Sequence, residues 1–187
     1  MWRVQPVVAS LTAAAIAFAP SNHAATSRPA AKQAPSRTSA VRVHLSALES
    51  QLLGQINVVR ARHGLRSLRL SPGLTAAAAQ HSASMAQKGY FAHESADGSS
   101  FFKRIASYYS YRGYSRWSAG ENILYSTPDI DSGGALRLWM NSPEHRANLL
   151  SRSWREIGLG AFHSSSAPGV YNGDAVTVVT ADFGVRY

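Results

Sequence analysis

Two histidines and a glutamate are the residues of this sequence whose chemistry is most informative. They are His93, Glu121 and His145. Each lies in a short segment that reads as a sequence motif, and no two of them are close in the sequence. Two imidazoles and a carboxylate can hold a divalent cation or move protons near neutral pH. They can act together only if the fold brings them to one place, so the sequence predicts a shared cleft.

This trio allows two interpretations. As ligands, two neutral imidazoles and one carboxylate leave coordination positions for water, which suits zinc or another first-row metal better than magnesium. Alternatively, the histidines hydrogen-bond to Glu121 and hold the cleft together without a metal. Glu144 is a neighbour of His145, so its side chain leaves the helix about 100° away, and we expect it to stabilise the helix start instead.

The beginning of the chain has the composition of an export signal. Met1-Trp2-Arg3 is short and positive, residues 4–19 are apolar and uncharged, and small residues suited to cleavage follow. The apolar run is short for a membrane span of roughly 20 residues, so we expect cleavage and no transmembrane segment in the mature form. We divide the chain into a signal peptide (1–25), a disordered basic linker (26–43) and a folded domain (44–187).

Charge and cysteine content restrict the compartment and the partners. The formal net charge is +9 and the chain has no cysteine. Secretion without disulfides is ordinary in bacteria, so we expect the bacterial periplasm or the extracellular space. The linker has basic residues and no acid, so it could contact an anionic surface, although a solvated tether is the simpler expectation. We expect no nucleic-acid partner, and a monomer.

Helices precede strands along the folded domain. An apolar stripe at three- and four-residue steps predicts a first helix, with Ser46 and Glu49 spaced as a capping box and Gly64 as its stop. Ser142-Pro143 combines a cap with a first-turn proline, which places His145 in the first turn of another helix. Other helices are predicted over residues 74–88, 101–105 and 134–141, and strands over 120–125, 157–162 and 175–183. This order predicts an α+β domain.

Several polar and aromatic residues near the trio have structural explanations. We expect His81 to be a packed core histidine bonded to backbone. The tyrosines and arginines interleaved over residues 104–116 could form a polymer-binding surface, but we favour packing over the core. Asp182 could support a cleft histidine, although a hydrogen bond at the end of a strand explains it equally well.

Five short sequence motifs occur along the chain in an order that is typical of one protein family. They are His93-x-Ser95, Gly120-Glu121-Asn122-Ile123, Trp139-x-x-Ser-x-x-His-Arg-x-Asn-Leu, Glu156-Ile-Gly-Leu-Gly and Asp182-Phe-Gly. The sequence resembles the CAP superfamily of cysteine-rich secretory proteins, antigen 5 and plant pathogenesis-related 1 proteins, in its cysteine-free bacterial branch. The resemblance covers residues 44–187.

The resemblance implies a three-layer α-β-α sandwich with a central antiparallel sheet and an open cleft. In eukaryotic members, that cleft carries two histidines and two glutamates able to bind a divalent cation. By motif, three of these positions fall on His93, Glu121 and His145, and Ser142 stands where the second glutamate belongs. The resemblance also implies a capacity to bind apolar molecules, because sterol and fatty-acid binding are described for eukaryotic members.

Three functions are compatible with these features. We favour a secreted module that binds a lipid, a small apolar molecule or a cell-envelope component, with zinc as the candidate cation and no catalytic residue assigned. The alternative is a metal-assisted hydrolase of peptide or ester bonds with Glu121 or a histidine as base, although no Ser-His-Asp arrangement or metalloprotease helix motif is visible. A structural or signalling role in the envelope is the third.

Overall fold

The structure, a computed structural model, describes residues 45–187. The predicted signal peptide (1–25) and basic linker (26–43) lie outside these residues. The helices are α1 (Ala47–Arg62), α2 (Pro72–Lys88), α3 (Phe101–Tyr108), α4 (Ser132–Asn141) and α5 (Pro143–Leu149). The strands are β1 (Arg69–Leu70), β2 (Trp117–Ser126), β3 (Glu156–Ser164) and β4 (Val176–Arg186). The α+β class is confirmed, and the three predicted strands are each longer than the sequence suggested.

The four strands form one sheet in the order β1-β3-β4-β2. β4 is antiparallel to both β3 and β2, and the short β1 runs parallel to β3. All ten residues of β2 pair with β4, in a register that places Glu121 opposite Asp182. Directly opposite residues of an antiparallel pair point to the same face of the sheet, so the two carboxyl side chains lie side by side.

Helices cover both faces of the sheet. Along β4, Val179, Ala181 and Phe183 belong to a core cluster with residues of α1, α4 and α5. The alternate residues face α2: Val178 packs in a cluster with Met85, and the hydroxyls of Thr180 and Ser82 are hydrogen-bonded to each other at 2.8 Å. Because successive strand residues point to opposite faces, this alternation makes the domain a three-layer α-β-α sandwich, as predicted.

Two glycines of β3 allow α2 to lie directly on the sheet. A Cβ on Gly158 would fall 2.1 Å from the backbone nitrogen of Thr75, and a Cβ on Gly160 would fall 2.2 Å from that of Ala79. Ser82 Oγ reinforces the contact by donating to the carbonyl of Gly160 at 2.9 Å. This close approach fixes the position of α2 and of the loop that follows it, which carries His93.

The helix starts follow the predicted signals in one case and depart from them in another. The capping box of α1 is confirmed: Glu49 N donates to Ser46 Oγ at 3.3 Å, and Ser46 N donates to Glu49 Oε2 at 2.7 Å. Ser142 precedes Pro143 at the start of α5, but it makes no side-chain cap bond. Its hydroxyl instead donates to Glu144 Oε2 at 3.2 Å. The predicted cap position and first-turn proline are therefore confirmed, and only the side-chain cap bond is missing.

The tyrosine-rich stretch divides between core and surface. Tyr109 is buried, and its hydroxyl donates to Glu156 Oε2. Tyr108, Tyr111 and Tyr114 keep 44%, 46% and 42% of their surface exposed. The predicted packing therefore holds in full for Tyr109. It holds in part for Tyr111, which contacts the Trp117 ring edge-on, and for Tyr114, whose ring lies against the Arg186 guanidinium. Among residues 45–187, no helix is long and apolar enough to cross a membrane.

Candidate functional site

Glu121 of β2 is the centre of a buried polar cluster. Its residue is 4% exposed, and it points toward the α2 side of the sheet. His93 Nδ1 donates to Glu121 Oε1 at 2.7 Å, and Arg104 Nη2 forms an ion pair with Oε2. The structure therefore brings His93 and Glu121 together and gives each carboxylate oxygen a partner.

Arg104 is the residue of this cluster that the sequence analysis did not assign to the site. It lies on the buried face of α3, with Phe101 and Ile105. Its Nη1 donates to the carbonyl of His93 at 3.0 Å and to Ser95 Oγ at 3.3 Å. The signal was an arginine inside an apolar helical stripe, because a charge placed there needs a buried partner. Arg104 thus fastens the His93 loop to β2.

The electrostatics of Glu121 reflect these two partners. Burial alone would raise the pKa of the Glu121 carboxyl, but the hydrogen bond from His93 and the charge of Arg104 outweigh burial and lower the pKa. Glu121 is therefore ionised at neutral pH. In that form it accepts from both of its neighbours.

Asp182 and His81 complete the cluster, and burial favours the uncharged form of each. Burial, and second the charge of Glu121, raise the pKa of Asp182 well above its usual range. Neither Asp182 oxygen has a hydrogen-bond partner as a carboxylate, whereas a protonated Asp182 can donate to Glu121. Asp182 therefore lies beside the Glu121 carboxylate, and neither of its oxygens bonds to a cleft histidine.

His81 is the predicted core histidine bonded to backbone. It is fully buried in α2, and its Nε2 donates to the carbonyl of Ala92 at 3.0 Å. Burial lowers its pKa to about 4, so the imidazole is neutral at pH 7. The same Nε2 lies 4.0 Å from Glu121 Oε2, which places His81 beside the site as well as in the core.

His145 lies in the first turn of α5, as predicted, and is half-buried. Burial, and second the charge of His93, lower its pKa. Two asparagines join this turn to β2: Asn122 Nδ2 donates to the carbonyl of His145 at 2.9 Å, and Asn148 Nδ2 donates to that of Glu121 at 3.2 Å. In residues 45–187, no hydrogen bond or ion pair links the His145 ring to Glu121.

Residues 53–183 match the family model described as CAP, the cysteine-rich secretory protein family. The chain belongs to this family. The match covers the β2 segment with Glu121, the His93 loop and α5, so the resemblance found in the sequence is confirmed.

Two proteins of Bacillus subtilis (strain 168) are similar to this CAP domain. The uncharacterized protein YkwD is 32% identical over 144 residues, which are 76% of this chain and 53% of YkwD. The uncharacterized membrane protein YlbC is 34% identical over 113 residues, which are 60% of this chain and 31% of YlbC. The matched part of this chain therefore spans about half of the length of YkwD and about a third of the length of YlbC.

Solved structures with the same fold come from other bacteria. An extracellular protein containing an SCP domain from Bacillus anthracis str. Ames is 29% identical with a TM-score of 0.56, covering 72% of this chain and 39% of that one. An outer surface protein from Borrelia burgdorferi is 19% identical with a TM-score of 0.58, covering 74% and 92%. The second likeness supports the CAP fold alone.

The donors of this CAP domain are arranged differently from a three-ligand metal centre. Both oxygens of Glu121 already have partners, and the Arg104 guanidinium holds the position beside Oε2 that a cation would take. Within residues 45–187, no group of three or more His, Cys, Asp or Glu side chains is placed to hold a metal ion. Zinc bound by His93, Glu121 and His145 therefore stays a prediction.

A cavity of about 390 Å³ lies where β2 leads into α4 of the CAP domain. We call it the α4 cavity. Its lining residues are Ser126, Asp129, Ile130, Asp131, Gly134, Arg137, Leu138 and Asn141. Apolar, acidic and basic residues thus line the same space. The sequence analysis did not single out this region.

Proposed function

We propose that this CAP domain is an extracytoplasmic binding module that holds a small amphipathic molecule, a lipid or an envelope fragment, in the α4 cavity. The observation that carries the proposal is the cavity itself. Its volume of about 390 Å³ falls within the usual range of ligand pockets. Ile130 and Leu138 offer contacts to an apolar chain, while Asp129 and Arg137 offer hydrogen bonds to a polar end.

The state of Glu121 favours binding over catalysis. A general base must come within hydrogen-bond reach of the proton that it removes. Glu121 is 4% exposed, and both of its oxygens are held by His93 and Arg104. A hydrolase that used Glu121 would have to break a buried ion pair in each turnover, so we place this alternative second.

The proposed location outside the cytoplasm has two supports. The first is the export-like composition of residues 1–25. The second is the similarity to a Bacillus anthracis protein that is described as extracellular. Periplasm and extracellular space are both compatible with these supports.

A pair of matched variants tests the α4 cavity. Leu136 and Leu138 are both half-buried residues of α4, but only Leu138 lines the cavity. With 1-decanoylglycerol as the calorimetric probe, Leu138→Lys should weaken binding by at least about tenfold, because it places a charge beside the apolar chain of the probe. Leu136→Lys should change the affinity by less than about twofold. No binding, or equal weakening in both variants, contradicts the proposal. Ester hydrolysis by the purified protein that His93→Ala abolishes would favour the hydrolase.

Zinc is a separate candidate ligand of the domain. Calorimetric titration at neutral pH should give heat that His145→Ala removes, since this variant deletes one donor and leaves the Arg104–Glu121 pair intact. A titration without heat, together with a melting temperature that chelators do not change, would contradict the zinc prediction without affecting the α4 cavity.

A further inference from the structure

Two stretches of sequence that lack acidic residues meet at a second cavity. Residues 50–93 and residues 145–155 contain no Asp or Glu. The end of α1, the loop that follows it and the connection between α5 and β3 border an open pocket of about 220 Å³. It is lined by Arg60, Gly64, Leu65, Arg66, Arg152 and Arg155, and we call it the arginine cavity. Four arginines and no acidic residue therefore line one small space.

Arg60 is a rigid, buried component of this cavity. The residue is 1% exposed. Its Nε donates to the carbonyl of Arg66 at 2.9 Å, and its Nη1 donates to those of Leu149 and Ser151 at 2.6 and 3.1 Å. These bonds fix the plane of the guanidinium between the two acid-free stretches. They use Nε and Nη1, so Nη2 remains for a further acceptor.

The other three arginines are exposed at the rim. Arg155 Nη1 donates to the carbonyl of Arg152 at 2.6 Å and to the next two carbonyls of the chain. Among residues 45–187, no Asp or Glu forms an ion pair with any arginine of this cavity. Burial, and second the charge of Arg155, lower the pKa of Arg60. Like charges gathered without a counter-ion repel one another, and a bound anion would remove that cost.

We propose that the arginine cavity binds a phosphate group, carried by a lipid or present as free phosphate. A guanidinium presents a planar fork of donors that matches phosphate oxygens, and its charge does not depend on pH in the physiological range. A phosphate offers several acceptor oxygens, which suits a space that arginines line from two chain segments. The arginine cavity shares no lining residue with the α4 cavity, so this site goes beyond the proposed function and does not depend on it.

The test uses two double variants that remove the same charge. Arg66→Gln/Arg152→Gln changes two rim residues, both exposed, and leaves the structural Arg60 in place. Lys103→Gln/Arg112→Gln removes two exposed positive charges that do not line the cavity. With inorganic phosphate as the calorimetric probe, the rim variant should lose at least about tenfold in affinity, and the control should stay within about twofold of the wild type.

Vesicles distinguish the source of the phosphate. Phosphatidylcholine vesicles with added phosphatidic acid are compared with phosphatidylcholine vesicles that carry the same charge as added oleate. Preference for phosphatidic acid that the rim variant loses assigns the site to a lipid headgroup, and binding of inorganic phosphate alone assigns it to soluble phosphate. Failure to bind either probe, or equal losses in the rim and control variants, would overturn the proposal.

Discussion

The buried ion pair at Glu121 predicts a large cost for removing its arginine. The side chain of Arg104 is 4% exposed and that of Glu121 is fully buried. Arg104→Met keeps the aliphatic part of the side chain but leaves the carboxylate with His93 as its hydrogen-bond donor. Breaking one partner out of a buried pair costs about 3–5 kcal/mol. Because His93 still compensates one oxygen, we expect a loss near the lower limit, about 3 kcal/mol in the free energy of unfolding.

A double-mutant cycle separates the pair from its surroundings. Glu121→Gln alone leaves Arg104 unpaired, and it should also destabilise the domain. In Arg104→Met/Glu121→Gln neither charge remains, so the double variant should be about 2 kcal/mol more stable than the sum of the single losses predicts. Urea unfolding at pH 7 measures all three variants. Arg112→Met, at an exposed arginine, is the control and should stay within about 0.5 kcal/mol of the wild type.

Two results would refute this reasoning. If Arg104→Met costs no more than Arg112→Met, the guanidinium does not compensate the buried carboxylate. If the single losses simply add in the double variant, Arg104 and Glu121 stabilise the domain independently, and the loop that carries His93 is held by other contacts.

Substitutions at other positions should raise or lower the free energy of unfolding, and each is paired with a control residue. Gly160→Ala should cost about 3 kcal/mol in denaturant unfolding, because its Cβ would lie 2.2 Å from the backbone of α2. Gly54 lies in α1, and a Cβ at this position would have no atom within 4 Å. Gly54→Ala should therefore increase the free energy of unfolding by about 0.5–1 kcal/mol. Equal changes in the two alanine variants would contradict the close packing of α2 on β3. Asp182→Asn should stabilise the domain at pH 7. Folding raises the pKa of Asp182, so the folded protein holds this proton more tightly than the unfolded chain. The domain therefore loses stability as the pH rises above the unfolded pKa near 3.8. The gain from the amide should therefore vanish toward pH 3.8 in unfolding series, and a similar gain from Asp174→Asn, at an exposed position, would refute burial as the cause.

The helices and strands could be predicted because their signals are local. The capping box at Ser46 and Glu49 and the glycine after α1 lie within one or two turns of the helix ends that they define. Ser142 shows the limit of such signals, since its hydroxyl could bond either to the backbone or to Glu144, and the sequence does not decide between them.

The contacts of the site depend on how distant elements pack, so the sequence predicted them only in part. The phrases around His93 and Glu121 led to the family, and the structure brings these two residues into a hydrogen bond. The second partner of Glu121 comes from α3, and no spacing in the sequence relates Arg104 to β2. The two cavities were also not predicted, because each is a gap between elements and not a pattern within one.

The absence of side chains at Gly158 and Gly160 has a mechanical consequence. The two glycines are two residues apart on β3, and the helix backbone passes them near Thr75 and Ala79, which are four residues apart. Four helical residues rise by about 6.0 Å, and two strand residues by about 6.6 Å, so the two spacings nearly match. Sliding or lifting α2 would open a gap that no side chain can fill. Any motion that accompanies ligand capture is thus expected in the layer of α1, α4 and α5, where larger side chains can change rotamers, while α2 and the sheet move as one body.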